Sequence, residues 1–418
     1  MKVIYLHQYF NTPQMSGGTR SYEMARRMVA AGHEVHVVTS TREASNAHKG
    51  WMETKETGIN VHWFPVQYSN EMNFFARIRA FLHFSLASCR KASSLTGDVI
   101  FATSTPLTIA IPAVYAARKK KIPMVFEVRD LWPELPIAIG ALKNPLLCML
   151  ARKLELWAYK NADAVVALSP GIKSGVIASG YAASNVAVIP NSSDNENFIY
   201  NARAAHQFRA ERAWLGDSPL LVYTGTIGKI NGVGYLVELA KELIQRRSDV
   251  RIIIIGSGAE QDYILSAARK SGVYNVNLFL ENPVPKYEMP AVLSAATMAA
   301  ALFIDLPEMR SNSSNKFFDA LASGTPLLTN YGGWMHELVT THSCGLPMWQ
   351  KPVAEVAKVL DLRIHDDEWL KKASCQSRIL AEEYFCRNVL AGNLIEVLQS
   401  VVDGNAHFAN KYGPGNYD

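Results

Sequence analysis

Short apolar runs recur along the whole chain, each separated from the next by a stretch whose apolar positions fall three and four apart. In the first half the runs are Val3–Leu6, Val35–Thr39, Val99–Ala102, Met124–Val128, Val165–Leu168 and Val186–Ile189. In the second they are Leu220–Thr224, Arg251–Ile255, Val276–Leu280, Met298–Phe303 and Pro326–Thr329. Near-continuous Val, Ile, Leu and Ala is the composition of strands buried on both faces, and the segments between them have helical spacing. Alternation of the two predicts parallel sheets wrapped by helices. The expected fold class is therefore α/β, with two facing Rossmann-like, doubly wound domains at residues 1–200 and 208–385. The polar stretch Asn191 to Gln207 reads as the linker. Residues 386–418 read as a C-terminal helix crossing back to the first domain, followed by a loose tail rich in Gly, Asn and Tyr. Ligands of such sheets sit at the carboxyl ends of the strands, so the expected site is the cleft between the domains.

Composition narrows this picture. A chain of 418 residues is too long for one ordinary core, and 49% hydrophobic with 19% charged residues describes a globular protein. The net charge of +5 fits an anionic substrate or a membrane surface better than dedicated nucleic-acid binding. Five widely spaced cysteines (Cys89, Cys148, Cys344, Cys375 and Cys386) form no close pair and suggest free thiols in a reducing compartment. The first residues run straight into a strand pattern without a secretory leader. No window reaches the roughly 18 apolar residues of a spanning helix. The expected location is cytoplasmic.

The segment Ser313 to Leu328 carries the most chemistry. It reads as a polar loop, a helix from Lys316 to Ser323, a stop at Gly324 and a buried strand. Ser314, Asn315 and Lys316 then cluster at a helix N-terminus, where unpaired backbone N–H groups and the helix dipole favour an anion. Asp319, one turn further on, can accept hydrogen bonds from the hydroxyls of a ribose. A phosphate site beside a diol acceptor suits a nucleotide-sugar; a capped core helix burying Phe317, Phe318 and Leu321 is the plain alternative. Gly17-Gly18-Thr19-Arg20 follows the first strand and opens a helix, so its backbone can approach an anionic ligand. The turn Gly225 to Gly232, with Gly228 inside it, follows the first strand of the second half and carries Lys229. Gly256-Ser-Gly258 lacks the third glycine of a dinucleotide fingerprint and reads as a tight strand-to-helix turn. Arg129 and Asp130 fall at the carboxyl end of another strand, where an acid beside a cation can stay ionised and act as base or acceptor. Each could equally be structural: a solvated loop lysine, or a plain Arg–Asp pair. The chain has no Asp-x-Asp, no clustered histidines, no Gly-x-Ser-x-Gly and no Walker sequence, so neither a metal nor a further cofactor is expected.

Asn73 to Lys91 places Phe75, Ile78, Leu82, Leu86 and Cys89 on one helical stripe, widened by Phe74 and Phe81 and flanked by Arg77, Arg79, Arg90 and Lys91. That arrangement fits a helix lying on anionic lipid, or a helix packed on its own domain. Arg118 to Lys121 could add charge to the same face.

Together these segments resemble the retaining glycosyltransferases of family 4, which have the two-domain GT-B fold. The match runs in order through GGTRSYEMARRMVAAGHEVHVVT, EVRDLWPE, LSPGI, VIPNSSD, YTGTIGKINGVGYL, IIGSGAE, SNKFFDALASGTPLL and NYGGW. The closest subgroup is similar to bacterial O-antigen and capsule N-acetyl-L-fucosamine transferases. The resemblance implies that Gly17 and Gly18 lie near the donor diphosphate and that Asp319 stands where the family has a ribose-binding Glu. It puts Ser311 at the sugar-binding Glu, and Thr226 and Asn231 at the phosphate-binding Arg and Lys. Arg129-Asp130 replaces a His-Asp pair. Lys229 and Lys316 are the local substitutes for the missing cations. The implied activity moves a sugar, of the N-acetylated 6-deoxyhexosamine kind, from a UDP-sugar to a lipid-linked saccharide at the inner face of the bacterial cytoplasmic membrane. A nucleotide-sugar epimerase of the same fold, or a catalytically silent sugar-nucleotide-binding subunit, are the alternatives.

Overall fold

The computed structural model describes residues 1–15, 17–41, 50–66, 72, 74–104, 106–192 and 194–408, with Phe74 by its backbone alone. The end of the expected loose tail, beyond residue 408, and the side chain of Phe74 lie outside the described residues.

The chain builds two sheets. The first contains β1 (Lys2–Leu6), β2 (Glu34–Thr41), β3 (Met52–Glu56), β4 (Ile59–Pro65), β5 (Val99–Thr103), β6 (Met124–Val128), β7 (Ala164–Ala167) and β8 (Val186–Val188), in the order β3-β4-β2-β1-β5-β6-β7-β8. The second contains β9 (Leu220–Thr224), β10 (Arg251–Ile255), β11 (Leu278–Glu281), β12 (Met298–Ala301), β13 (Leu327–Thr329) and β14 (Gly345–Pro347), in the order β11-β10-β9-β12-β13-β14. Among the described residues, only the β3–β4 pair is antiparallel. Order reverses beside β1 and β9, so the carboxyl ends of those strands open onto the crevice between domains.

All the strands expected from the sequence are present, with three differences. Residues Met52 to Pro65 form the hairpin β3–β4. It closes through Thr57 and Gly58, both at positive φ (49° and 85°), as a two-residue turn matched to strand twist requires. The mostly polar METKE of β3 hides it from an apolar-run search, because β3 is an exposed edge. The strand expected at Val276 begins instead at Leu278, because Asn275 turns through positive φ and leaves Val276 exposed. The three-residue β14 pairs with β13 at the edge of the second sheet.

Alternate residues of the first sheet point into two cores. Val3, Tyr5, Val35, Val99 and Phe101 face one side, and Ile4, Leu6, Val38, Ile100 and Ala102 the other. The first core is completed by the helix Arg20–Ala30 and by a helix from the far end of the chain, Arg387–Val402. That last helix contributes Leu390, Leu394, Val397, Leu398 and Val401 to the first domain. The chain therefore passes between the domains twice, near residues 190–201 and again near 385–387. A charged knot ties the two passages together. Arg26 and Arg27 of the first helix both reach Asp194, at 2.5 and 2.9 Å, and Glu23, at 2.6 and 2.5 Å. Arg387 lies 3.7 Å from Glu23 and donates to the Ser192 carbonyl.

Candidate active site between the domains

The site forms where loops after β1, β6, β9 and β12 meet the helix Asn315–Ala322. The Gly17-Gly18 loop comes up to that helix: a Cβ on Gly18 would lie 3.2 Å from the Asn315 amide nitrogen. Asn11 holds the loop by donating to the Gly18 carbonyl at 3.3 Å. Thr19 and Ser314 are buried immediately before their helices, and neither side chain caps its helix.

Lys316 turns under the β9 turn. Its Nζ donates to the Tyr223 hydroxyl at 2.8 Å and sits 4.0 Å from the Tyr223 ring centre; the hydroxyl in turn donates to the Thr226 carbonyl at 2.8 Å. Gly225 makes this possible. Its φ of +124° favours glycine, and a Cβ there would press on Lys316 Cε at 3.3 Å. Gly256, the expected tight turn, backs the Gly225 carbonyl so closely that no side chain fits. Burial of the Lys316 ammonium pushes its pKa down to about 7. Lys229 lies at the rim on the short turn that follows Gly228, and reaches across to the Ile139 carbonyl of the first domain at 3.5 Å.

Asp319 is buried one turn into its helix. One carboxylate oxygen pairs with Lys286, whose Nζ also lies 5.0 Å from the Phe198 ring centre, and Oδ1 has no partner. The expected ribose acceptor thus has one oxygen committed and one unsatisfied. Lys286 was invisible in the sequence, because only tertiary packing brings it from a loop onto this helix.

Three expectations need correction. Arg20 does not face the cleft. Its guanidinium pairs with buried Glu127 at 2.7 Å and donates to the carbonyls of Ile189 and Pro190 at 2.9 and 2.5 Å. It stitches the first helix to β6 and β8. Asp130 is not held ionised by its neighbour: burial raises its carboxyl above the usual range, and the opposing Arg129 charge does not cancel that rise. Arg129 itself donates its backbone N–H to Ser104 Oγ at 2.9 Å and approaches His7 Nε2 at 3.5 Å. Ser311 belongs to a domain contact. Its carbonyl accepts from Ser169 Oγ at 2.6 Å, and its hydroxyl lies so close to Gly171 that a side chain at Gly171 would collide with it. Asn191 completes that contact by donating to Ser313 at 3.1 Å from its backbone and 2.5 Å from its amide. The two domains leave a gap of about 10 Å³ between Asp130, Leu131 and Leu135 on one side and Glu308, Met309 and Ser311 on the other, room for about one water.

On the outer face of the first domain, the helix Phe74–Ser94 buries Ala80, Phe84, Ser88 and Ala92, one turn apart, against the helix Ala110–Lys120. Its opposite face leaves Phe75, Leu82 and Leu86 exposed at 77%, 44% and 67%, with Arg79 and Arg90 beside them. Ile78 is half-buried at the edge of that stripe, whereas Arg77 and Phe81, also half-buried, lie towards the face packed on the domain. Another helix of the first domain, Pro145–Lys160, also touches the helix Ala110–Lys120 and exposes Leu146, Met149 and Leu150 together with Arg152 and Lys153. Among the described residues, no helix is long and apolar enough to cross a membrane.

The geometry defines a pair of facing Rossmann-like domains with a cleft between them, and comparison with known proteins identifies the family. Residues 17–192 match the model of the glycosyl transferase 4-like domain, and residues 218–363 that of glycosyl transferases group 1. The chain belongs to the glycosyltransferases of GT-B fold. It is 24% identical over 297 residues to the putative colanic acid biosynthesis glycosyl transferase WcaI of Escherichia coli, covering 68% of this chain and 72% of that protein. It is 22% identical to the D-inositol 3-phosphate glycosyltransferase of Corynebacterium aurimucosum, covering 84% of each. Among solved structures, Anabaena HepE in complex with UDP and glucose superposes with a TM-score of 0.73 at 16% identity, over 96% of this chain and all of that one. Sucrose-phosphate synthase of Thermosynechococcus elongatus gives 0.79 at 14% identity, over 97% of this chain and all of that one.

Proposed function

We propose that this glycosyltransferase moves a sugar from a UDP-sugar to a lipid-linked saccharide of a bacterial surface polysaccharide, with retention of anomeric configuration and without a metal. The observation that carries the reading is Lys316 beneath the Gly225 turn, at the N-terminus of the helix that faces Gly17-Gly18. Backbone N–H groups at Ser314 and Asn315, with the Lys316 ammonium, would meet the donor diphosphate and stabilise the charge that develops as it departs. The unsatisfied Asp319 oxygen would accept from the ribose. Similarity to WcaI and to a fold relative solved with UDP and glucose supports the donor and pathway class. The decisive experiment is a thermal-shift screen against UDP, UDP-glucose, UDP-galactose, UDP-N-acetylglucosamine and UDP-glucuronic acid, followed by transfer to a lipid-linked saccharide. A protein stabilised by none of them sinks the reading. Conversion of the donor to an epimer without acceptor identifies the epimerase instead.

Metal independence is tested directly. No cluster of three or more His, Cys, Asp or Glu suited to hold an ion occurs among the described residues. Turnover is expected to persist after exhaustive EDTA treatment, and loss restored by Mn²⁺ or Mg²⁺ would contradict the proposal.

The membrane role rests on the exposed stripe Phe75, Leu82 and Leu86, with Arg79 and Arg90 beside it; Leu146, Met149 and Leu150, with Arg152 and Lys153, form a separate exposed apolar and basic group. Each basic residue near an anionic surface contributes about 1 kcal/mol, and apolar side chains enter the acyl boundary. The protein is expected to bind vesicles containing phosphatidylglycerol, and to leave them as salt rises. Leu82→Ser with Leu86→Ser should lower vesicle binding and lipid-acceptor turnover while sparing UDP binding. Equal binding to neutral phosphatidylcholine vesicles would argue against it.

A further inference from the structure

We propose that Glu308 and Asp130, which line the interdomain gap from opposite domains, receive the hydroxyls of the transferred sugar and restrict the donor to neutral sugars. The inference rests on the UDP-sugar reading above and deepens it.

Glu308 lies on the short turn Pro307–Ser311, on the wall of the second domain. Its Oε2 is shut off from solvent and receives no hydrogen bond. The nearby cation does not serve it: Arg310 pairs with Asp305 at 3.6 Å and stacks on Trp349 at 4.9 Å. A carboxylate oxygen enclosed in a ligand cleft without a donor is costly unless something arrives to supply one. Asp130 faces the same gap from the loop after β6, and no cation in contact with its carboxylate neutralises it; Arg129, the residue beside it, does not offset its burial. Ser311, where a sugar-binding carboxylate was expected, is turned onto Gly171. Glu308 stands one turn earlier and supplies the missing group.

The remaining walls, Leu131, Leu135 and Met309, are apolar. Carboxylates that accept from hydroxyls, set among apolar side chains, fit the alternating hydroxyl and C–H faces of a pyranose. A third carboxylate is disfavoured there, because it would be desolvated among apolar walls beside Glu308 with no cation to meet it. The gap holds about one water as it stands. The sugar would therefore enter as the domains part, and its hydroxyls would fill the vacant acceptor positions on both walls.

The test compares UDP, UDP-glucose, UDP-N-acetylglucosamine and UDP-glucuronic acid by calorimetry on the full-length protein and on Glu308→Gln and Asp130→Asn. The wild type is expected to bind at least one neutral UDP-sugar tenfold or more tighter than UDP-glucuronic acid. In Glu308→Gln the affinity for that neutral UDP-sugar, taken relative to UDP, should fall about tenfold, while UDP itself binds within twofold of wild type. Asp130→Asn should narrow the gap between neutral and acidic donors from the opposite wall. UDP-glucuronic acid binding as tightly as the neutral sugars overturns the inference. So do unchanged neutral-sugar-to-UDP ratios in both variants. Failure of the wild type to bind UDP at all overturns the underlying reading of the cleft as well, which distinguishes the two.

Discussion

Arg20→Ala is expected to lower stability by about 3–5 kcal/mol, the scale of breaking a buried ion pair from one side. Arg20 and Glu127 are 3% and 0% exposed, and removing the guanidinium strands a carboxylate in the middle of the first sheet. Thr103 would still donate to Glu127 at 2.7 Å, but one neutral donor cannot replace a bidentate cation. The carbonyls of Ile189 and Pro190 would lose their donors too. The pH dependence has a definite sign. Burial opposes the Glu127 charge, yet Arg20 holds its pKa below the ordinary carboxylate value. A carboxylate depressed on folding contributes stability above its unfolded pKa, and that contribution fades as pH falls through the folded value. In Arg20→Ala the carboxyl instead rises and takes up a proton readily. The deficit should therefore be largest at high pH, begin to shrink as pH falls through the variant's raised value, and go on shrinking until the wild-type carboxyl protonates below the ordinary carboxylate value. Urea denaturation at several pH values reads it, and a deficit under about 1 kcal/mol at pH 7 would mean the pair is not a keystone.

Donor binding should consume a proton. Without donor, desolvation brings Lys316 to about 7, so near pH 8 most molecules carry it neutral. A diphosphate placed against it favours the ammonium. The bound state then holds more protons than the free state, so affinity falls as pH rises above 7, by roughly tenfold per unit while the bound pKa stays higher. Calorimetry of UDP binding in two buffers of different ionisation heat should show uptake at pH 8 and little at pH 6. Lys316→Ala should abolish the uptake and weaken binding by ~1.5–3 kcal/mol, the value of a charge-assisted hydrogen bond. Identical apparent enthalpies in both buffers at pH 8 would remove Lys316 from the diphosphate.

Apolar runs reveal most of this fold because buried parallel strands carry their signal within a few consecutive residues. The edge hairpin Met52–Pro65 escapes for the opposite reason: β3 buries little and is written in polar residues. The backbone features of the proposed site are legible in the sequence. The turn at Gly225 and the helix start at Asn315 are local events, and their sequences announce them. What stayed hidden depends on side chains meeting from distant segments. Arg20 looked like part of a glycine-loop anion site, and only the position of Glu127, 107 residues away, shows it is occupied. Lys286 reaching Asp319, and Glu308 sharing a gap with Asp130, are likewise long-range meetings that no spacing encodes.

The helix Arg387–Val402 has a consequence for how the protein is made. The first sheet lacks six apolar residues of its own core until Leu390, Ala391, Leu394, Val397, Leu398 and Val401 arrive. During synthesis the first half emerges early but cannot seal that face, whereas the second sheet has all its strands by Pro347. The ordinary order of completion, N-terminal domain first, is thus inverted. A fragment ending at residue 200 would leave an apolar face open and should aggregate. A stop codon near residue 385 would disable a domain whose every strand had already been translated.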